Sequence, residues 1–154
     1  MIIIIEGPDG SGKTTLAEKL SKQTGYPIEH RSKPKNEEEK ALMMGEYLQI
    51  AKSSRNIILD RCWYSEMVYG KIMRDKSHID FVQMYELERA LASHGAIIIY
   101  CTGPKATLWK RATSRGEDYI TSRDDFNAIC EEYDKIMECP HYVPVVKYEY
   151  KDLS

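Results

Sequence analysis

The sequence predicts an α/β fold in which a parallel five-stranded sheet is flanked by helices. Short apolar runs rich in β-branched residues recur at residues 2–5, 56–60 and 96–101, and such runs are typical of strands buried on both faces of a parallel sheet. Segments with helical spacing of apolar residues lie between them, and glycine or proline marks several of the boundaries. Strands that alternate with helices favour parallel pairing through right-handed crossovers.

The first third of the chain carries signals for two strands and two helices. Four isoleucines, Ile2–Ile5, form the first strand, and the helix after it has an apolar face and a glycine stop signal, given by Leu16, Ala17, Leu20 and Gly25. Residues 26–30 can form a short second strand, and residues 31–35 are predicted as a loop. Asn36 and Glu39 make a capping-box pattern that opens a helix through about residue 53, with an apolar stripe of Met44, Leu48 and Ala51.

Two later helices have specific start signals. Asp80 and Gln83 can cap one of them, which directs Met84, Leu87 and Leu91 inward. Pro104 suits the first turn of the other. The predicted elements of this part are, in order, a strand at 56–60, a loop and helix within 61–69, the Asp80 helix, a strand at 96–101, the Pro104 helix towards Arg115, a helix over about 124–137 and a strand at 142–148.

Length and composition indicate one domain without a membrane segment. A chain of 154 residues is long enough for one core and too short for two, so we expect a single domain over residues 1–154. The longest apolar runs are far shorter than a membrane span, and no basic leader precedes the first, which favours a cytoplasmic protein. The net charge of −2 argues against nucleic acid as a partner. The four cysteines lack metal-ligand spacing, so zinc is not expected.

Residues 7–14 satisfy the pattern G-x-x-x-x-G-K-[ST] between a predicted strand and a predicted helix. This context indicates a phosphate-binding loop, and the fold is therefore predicted to be that of the P-loop NTPases. Lys13 would reach the terminal phosphates of a nucleoside triphosphate, and the hydroxyl of Thr14 would bind Mg²⁺. The predicted phosphate-binding residues are Gly7, Pro8, Asp9, Gly10, Ser11, Gly12, Lys13, Thr14 and Thr15.

A charged pair, Asp60-Arg61, ends the third predicted strand. Ligands collect at the carboxyl ends of the strands in parallel sheets, so the pair is expected in the same crevice as the phosphate loop. Asp60 could hold Mg²⁺ through water, and Arg61 could hold a second anion. The alternative is a salt-bridged strand terminus, because charges that end a buried strand need partners.

Arg111 and Arg115 are four residues apart and would project from one face of a helix. Phosphoryl transfer spreads negative charge over the transferred oxygens, and positioned arginines stabilise that charge. The polar stretch that follows favours a small mobile lid at about residues 111–125, in which both arginines are catalytic. The alternative is a solvated helix face.

Three blocks of the chain together match the pattern of a known family. Residues 6–15 read Glu-Gly-Pro-Asp-Gly-Ser-Gly-Lys-Thr-Thr, Asp60-Arg61 precedes Ser65 and Tyr69, and residues 111–118 read Arg-Ala-Thr-Ser-Arg-Gly-Glu-Asp. These blocks resemble the E-G-x-D-G-x-G-K-[ST]-T loop, the D-R-[YH]-x-x-S-x-x-A-Y segment and the R-x-x-x-R-G-x-x-D-R lid of the thymidylate kinases, and small phage kinases of this type are similar in all three. The lid is one residue shorter here, and Tyr119 stands where its second arginine is expected.

The resemblance implies a role for each matched residue. Asp9 would lie near the transferred phosphate or its metal, Arg61 would hold the acceptor's phosphate, and Tyr69 would crowd the 2′ carbon of the sugar and favour deoxyribose. Gly10 stands where some members have an arginine, so the lid would supply that charge. The implied acceptor-binding residues are Arg31, Asp60, Arg61, Ser65 and Tyr69, and the implied catalytic residues are Asp9, Lys13, Arg61, Arg111 and Arg115.

The favoured function is therefore a deoxynucleoside monophosphate kinase that uses ATP and Mg²⁺, with dTMP as the first acceptor. A deoxynucleoside kinase or a kinase of modified bases in phage DNA is the alternative. Either would need a carboxylate base to take a hydroxyl proton, for which Glu29 and Asp60 are candidates. A non-catalytic nucleotide-binding protein is the third hypothesis, and a homodimer is left open.

Overall fold

The computed structural model describes residues 1–30, 34–74, 76–114 and 122–149. Its five strands form one sheet in the order β2-β3-β1-β4-β5, and every neighbouring pair is parallel. The strands are β1 (Ile2–Glu6), β2 (Ile28–His30), β3 (Ile57–Asp60), β4 (Ala96–Thr102) and β5 (Val145–Glu149). The predicted parallel five-stranded α/β fold is confirmed.

The helices alternate with the strands, except that two helices follow β3 and two follow β4. They are α1 (Lys13–Thr24), α2 (Glu37–Lys52), α3 (Trp63–Met73), α4 (Phe81–Ala92), α5 (Lys105–Ser114) and α6 (Arg123–Glu138). Asp80 and Gln83 form the complete predicted capping box of α4. Asn36 caps α2 by accepting from the backbone N–H of Glu39, but the Glu39 carboxylate accepts from the N–H of Lys35 instead of closing the box.

Two details of the sequence prediction need correction. The buried stripe of α2 consists of Met43, Tyr47, Ile50 and Ala51, so the prediction was right at Ala51, whereas Met44 and Leu48 are only partly buried and pack against the same core. Adjacent apolar residues in this helix let two stripes satisfy the same spacing. The last strand begins at Val145, after Pro144, because proline has no N–H to donate to a neighbouring strand.

Both faces of the sheet are covered, and β1 shows how. Ile2 and Ile4 pack into a large core with residues from α2, α3, α4 and α6, whereas Ile3 and Ile5 pack with α1 on the other face. Since the strands are parallel, the carboxyl ends of β1, β3 and β4 lie at one edge of the sheet, with Ile5 beside Asp60 in the register. None of the described helices is long and apolar enough to cross a membrane.

Candidate functional site

The phosphate loop connects β1 to α1. Three of its glycines have positive φ angles, 152° at Gly7, 80° at Gly10 and 84° at Gly12, which side-chain-bearing residues rarely adopt. Gly12 is the N-cap of α1. A helix N-terminus offers N–H groups without intrahelical partners and the positive end of the helix dipole. The loop and the start of α1 therefore form a cradle for an anion.

Gly10 packs against α5, the helix that carries Arg111. A Cβ atom at Gly10 would lie 2.4 Å from the carbonyl oxygen of Leu108 and 2.9 Å from the backbone nitrogen of Ala112, so a larger residue does not fit. The same point lies 3.2 Å from the Cβ of Arg111, which places the base of this arginine beside the loop. Arg115 and the rest of the predicted lid through residue 121 lie outside the described residues.

Lys13 lies across the phosphate loop. Its Nζ donates a hydrogen bond to the carbonyl oxygen of Pro8 at 2.8 Å and lies 3.5 Å from the Ser11 hydroxyl. Burial and the positive charge of Arg61 lower the pKa of Lys13 to about 8, although Asp9 and Asp60 oppose the shift. A polyphosphate in the loop would supply the negative charge that favours the protonated form.

Asp60 ends β3 beside the start of α1. Its Oδ2 accepts from the Thr14 hydroxyl at 3.4 Å and lies 3.2 Å from Nδ1 of His30. A hydroxyl and a carboxylate are the hard oxygen donors that suit Mg²⁺, so these residues fit the predicted metal. Across the described ranges, no group of three His, Cys, Asp or Glu residues could hold a metal ion. The protein would therefore supply few ligands, and phosphate oxygens and water the rest.

Arg61 turns away from Asp60 and pairs with the phosphate loop. Its φ angle of 70° is the one positive value among the non-glycine residues that the structure describes, a conformation that costs energy and often marks a functional position. Its Nη2 forms an ion pair with Asp9, and its Cζ lies 5.2 Å from the centre of the Tyr69 ring. Arg61 thus has an ion-pair partner, as in the alternative of a salt-bridged strand terminus, and the partner carboxylate belongs to the phosphate loop.

The second nitrogen of the guanidinium has its own partners. Arg61 Nη1 lies 3.2 Å from the Ser65 hydroxyl and 3.3 Å from the Tyr133 hydroxyl. Burial alone would lower the pKa of Arg61, yet Tyr69, Tyr133 and Asp9 raise it well above its ordinary value. The guanidinium therefore stays charged.

Glu6 joins the end of β1 to the start of α3. It is completely buried and accepts hydrogen bonds from the backbone N–H groups of Cys62 at 3.2 Å and Ser65 at 2.8 Å. It also accepts from the Ser65 hydroxyl at 2.6 Å. Burial raises the pKa of Glu6, and Arg61 opposes this effect. Glu6, at the end of β1, thus caps the N-terminus of α3 and fixes the segment that presents Arg61.

The structure brings most of the predicted site residues together. Asp9, Lys13, Thr14, Asp60, Arg61, Ser65 and Tyr69 surround the carboxyl ends of β1 and β3, while Thr15 is exposed in the first turn of α1. Arg31 lies outside the described residues. The roles of Glu6, Tyr133 and His30 were not predicted. A glutamate that ends a buried strand was a usable signal for Glu6, because it needs partners, but Tyr133 and His30 gave none.

Fold and site define a P-loop phosphotransferase. Residues 1–121 match the family model of polyphosphate kinase 2 (PPK2), and the chain belongs to the polyphosphate kinase 2 family. It is 32% identical over 136 residues to the SPbeta prophage-derived uncharacterized protein YorR of Bacillus subtilis (strain 168). The aligned region covers 88% of this chain and 81% of YorR.

Solved structures share the fold of this chain. The crystal structure of YorR in complex with phosphorylated GDP has a TM-score of 0.80 and 30% identity, over 97% of this chain and 85% of YorR. Two further structures are similar in fold, deoxyadenosine kinase from M. mycoides (TM-score 0.63, 20% identity, 97% of this chain and 90% of that one) and polyphosphate kinase 2 from Arthrobacter aurescens TC1 (TM-score 0.68, 16% identity, 95% of this chain and 59% of that one). The narrower thymidylate kinase resemblance stays a prediction.

Proposed function

We propose that this protein is a Mg²⁺-dependent nucleotide kinase that transfers the γ-phosphoryl group of ATP to a deoxynucleoside monophosphate, with dTMP as the first acceptor to test. The observation that carries the proposal is the position of Arg61. Its guanidinium pairs with Asp9, the third residue of the phosphate loop, so a second anion bound by Arg61 would lie next to the donor's phosphates. A donor and an acceptor phosphate can then meet around one loop.

The donor half rests on Lys13 and on the Thr14–Asp60 pair. The loop and helix N-terminus would hold the phosphates of ATP, and Lys13 would neutralise charge at the transferred group. Thr14 and Asp60 would hold Mg²⁺, which would lower the negative charge that opposes phosphoryl transfer. The base of Arg111 lies beside Gly10, which supports the proposal that lid arginines contact the transferred group.

The acceptor half rests on Arg61, Ser65 and Tyr69. A guanidinium can hold a phosphate through two parallel hydrogen bonds. Tyr69 is buried, with its ring beneath the guanidinium, and would therefore lie beside the sugar of a nucleotide whose phosphate Arg61 holds. This placement supports the proposed preference for deoxyribose.

The surroundings of the carboxylates favour a monophosphate acceptor over a nucleoside. A nucleoside needs a base for its hydroxyl proton, whereas a phosphate already carries a nucleophilic oxygen. Glu29 is ion-paired with Arg55. Asp60 contacts Thr14 and His30. Glu6 is buried and accepts hydrogen bonds from Ser65. Each candidate base is therefore engaged, which supports phosphoryl transfer to a phosphate.

The relatives widen the choice of donor. YorR binds a phosphorylated form of GDP, and the family is named for polyphosphate. The decisive experiment is a turnover panel in which ATP, GTP and polyphosphate are each combined with dNMPs, GMP and deoxynucleosides. We expect ATP with a dNMP to give the highest rate. Turnover of deoxynucleosides with no activity on any monophosphate would overturn the proposal in favour of a nucleoside kinase.

Lys13→Ala tests the donor site within that panel. We expect at least about a hundredfold loss of turnover, because the substitution removes a charge positioned for the transferring phosphate. Lys105→Ala is the matched control, since Lys105 forms an exposed ion pair with Glu131, and it should retain activity. Activity of Lys13→Ala within a few-fold of wild type would contradict the proposed donor site.

A binding measurement checks the same site without turnover. Because the pKa of Lys13 is about 8 and a bound polyphosphate favours its protonated form, ATP binding at pH 8 should take up protons. Calorimetry in buffers of different ionisation enthalpy measures this uptake, which Lys13→Ala should reduce. Equal uptake by wild type and variant would separate Lys13 from the bound phosphates.

A further inference from the structure

Arg61 is held at two separate edges. On one edge, Nη2 pairs with the Asp9 carboxylate of the phosphate loop. On the other, Nη1 faces two hydroxyl oxygens, those of Ser65 and Tyr133. A carboxylate can be exchanged for a phosphate because both are anions, whereas the hydroxyls belong to a tyrosine buried in the core and to a half-buried serine that Glu6 holds.

The direction of each hydrogen bond on the hydroxyl side can be assigned. The single O–H of Ser65 donates a hydrogen bond to the Glu6 carboxylate, at 2.6 Å. Because Ser65 has no O–H left for the 2.9 Å contact between the two hydroxyls, Tyr133 is the donor there, and its hydroxyl also lies 3.4 Å from the Glu6 carboxylate, a second acceptor for the same proton. Both oxygens then turn lone pairs towards Arg61, and the acceptor that sets this order is the buried Glu6.

Tyr133 is also held rigidly by its ring. Its side chain is fully buried, stacks on Tyr100 with centroids 6.1 Å apart, and meets Tyr69 edge-on at 6.2 Å. Since Tyr133 lies on α6, its hydroxyl reaches Arg61 across 72 positions of sequence. A ring packed in this way provides a fixed hydrogen-bond acceptor.

We propose that Tyr133, oriented through Ser65 and Glu6, is a positioning residue that fixes the Nη1 edge of Arg61, so that Nη2 exchanges Asp9 for the phosphate of the acceptor. The inference rests on the proposed function, because it takes a nucleoside monophosphate as the exchanging anion. It assigns Asp9 as the counter-ion of Arg61 before the acceptor binds. Arg61, the residue directly after β3, makes these contacts from a left-handed backbone conformation with φ of 70°.

The first test needs no turnover. Nuclear magnetic resonance measures rotation about the Nε–Cζ bond of Arg61, which hydrogen bonds at Nη1 restrict. In Tyr133→Phe the ring stacking remains while the hydroxyl is lost, and rotation should become about tenfold faster, the equivalent of one charge-assisted hydrogen bond. Tyr100→Phe is the matched control, because it removes a hydroxyl that is bonded to Asp134 at 2.6 Å. Unchanged rotation in Tyr133→Phe would overturn the proposal.

The second test is kinetic and uses the best monophosphate of the turnover panel. Tyr133→Phe should raise its KM about tenfold and leave the KM of ATP within about twofold, because only the acceptor's phosphate meets Arg61. In the Arg61→Ala background, Tyr133→Phe should add no further loss, since it acts through the missing guanidinium. A full additional loss there, or an equal rise in both KM values, would overturn the positioning role.

Two further results keep the proposal separable from folding and from the proposed function. Ser65→Ala removes the other acceptor of Nη1 and should also speed rotation of the guanidinium, which provides a second variant should Tyr133→Phe fold poorly. A wild type that turns over no monophosphate would refute the proposed function. Faster guanidinium rotation in Tyr133→Phe would then still support the positioning of Arg61, and unchanged rotation in a folded Tyr133→Phe would refute it whatever Ser65→Ala shows.

Discussion

Replacing Arg61 with lysine is the sharpest test of the acceptor site. The substitution keeps the positive charge but loses the planar fork. In the structure, the fork reaches Asp9 with Nη2 while Nη1 faces Ser65 and Tyr133. A lysine ammonium is a point charge at the end of one stem, so it cannot span both groups.

The expected magnitude follows from these contacts. Lysine should lose at least one charge-assisted hydrogen bond together with the fixed orientation of the anion. A hydrogen bond to a charged group contributes about 1.5–3 kcal/mol. A loss of about 2–3 kcal/mol corresponds to roughly a 30- to 160-fold fall in kcat/KM for the monophosphate.

The assay compares dTMP with thymidine, using ATP and Mg²⁺. Wild type should phosphorylate dTMP far faster than thymidine, and Arg61→Lys should shrink that gap because thymidine brings no phosphate for the guanidinium to hold. Arg55→Lys is the control, since Arg55 forms an ion pair with Glu29 while about half exposed (52%), and exposed pairs contribute about 1 kcal/mol or less. Full dTMP activity in Arg61→Lys, or an equal loss on both substrates, would refute the assignment of Arg61 to the acceptor's phosphate.

Three further predictions address the sugar, the lid and a buried pair. Tyr69→Ala should raise ribonucleotide turnover relative to the deoxy form, because the ring would no longer exclude a 2′ hydroxyl; an unchanged ratio in folded protein would leave Tyr69 a core residue. Arg111→Ala and Arg115→Ala should each lower kcat more than ATP binding, and full turnover in both would indicate a solvated helix face. Burial alone would lower the pKa of His141, but Glu88, hydrogen-bonded to it at 2.7 Å, raises that pKa above 6.5. The contribution of this pair to the free energy of unfolding is therefore fully present below about pH 6.5 and is lost as pH rises through the pKa of His141 in the folded protein. Urea unfolding should show a weaker pH dependence in Glu88→Gln, and an equal dependence would contradict this linkage.

The order of elements and the phosphate loop could be predicted from local sequence alone. Ile2–Ile5 can hardly be anything except a buried strand, and the glycine pattern of residues 7–12 permits the turn that the structure shows. Caps such as Asp80 with Gln83 also depend only on residues three positions apart. These signals survive folding because strand, turn and helix starts are set by neighbours along the chain.

The stripe of α2 shows where local signals fail. Met43 and Tyr47 face the core, yet Met44 and Leu48 have the same spacing and similar apolar character. Only the packing of the helix against the core decides which stripe is fully buried and which is partly buried. The half-formed capping box of α2 has a local cause instead, because the Glu39 carboxylate accepts from the N–H of Lys35, four positions away, and not from that of Asn36.

The sequence by itself determined that Asp60-Arg61 would lie at the edge of the sheet that carries the phosphate loop. Tertiary structure decided how the two charges are used. Asp60 faces Thr14 and His30, whereas Arg61 pairs with Asp9 across 52 positions of sequence and meets Tyr133 across 72. No periodicity or spacing encodes such pairs, because they exist only after β1, β3 and α6 have packed around one core. Local motifs therefore determined which residues supply the chemistry of the site, and long-range packing determined which of them contact one another.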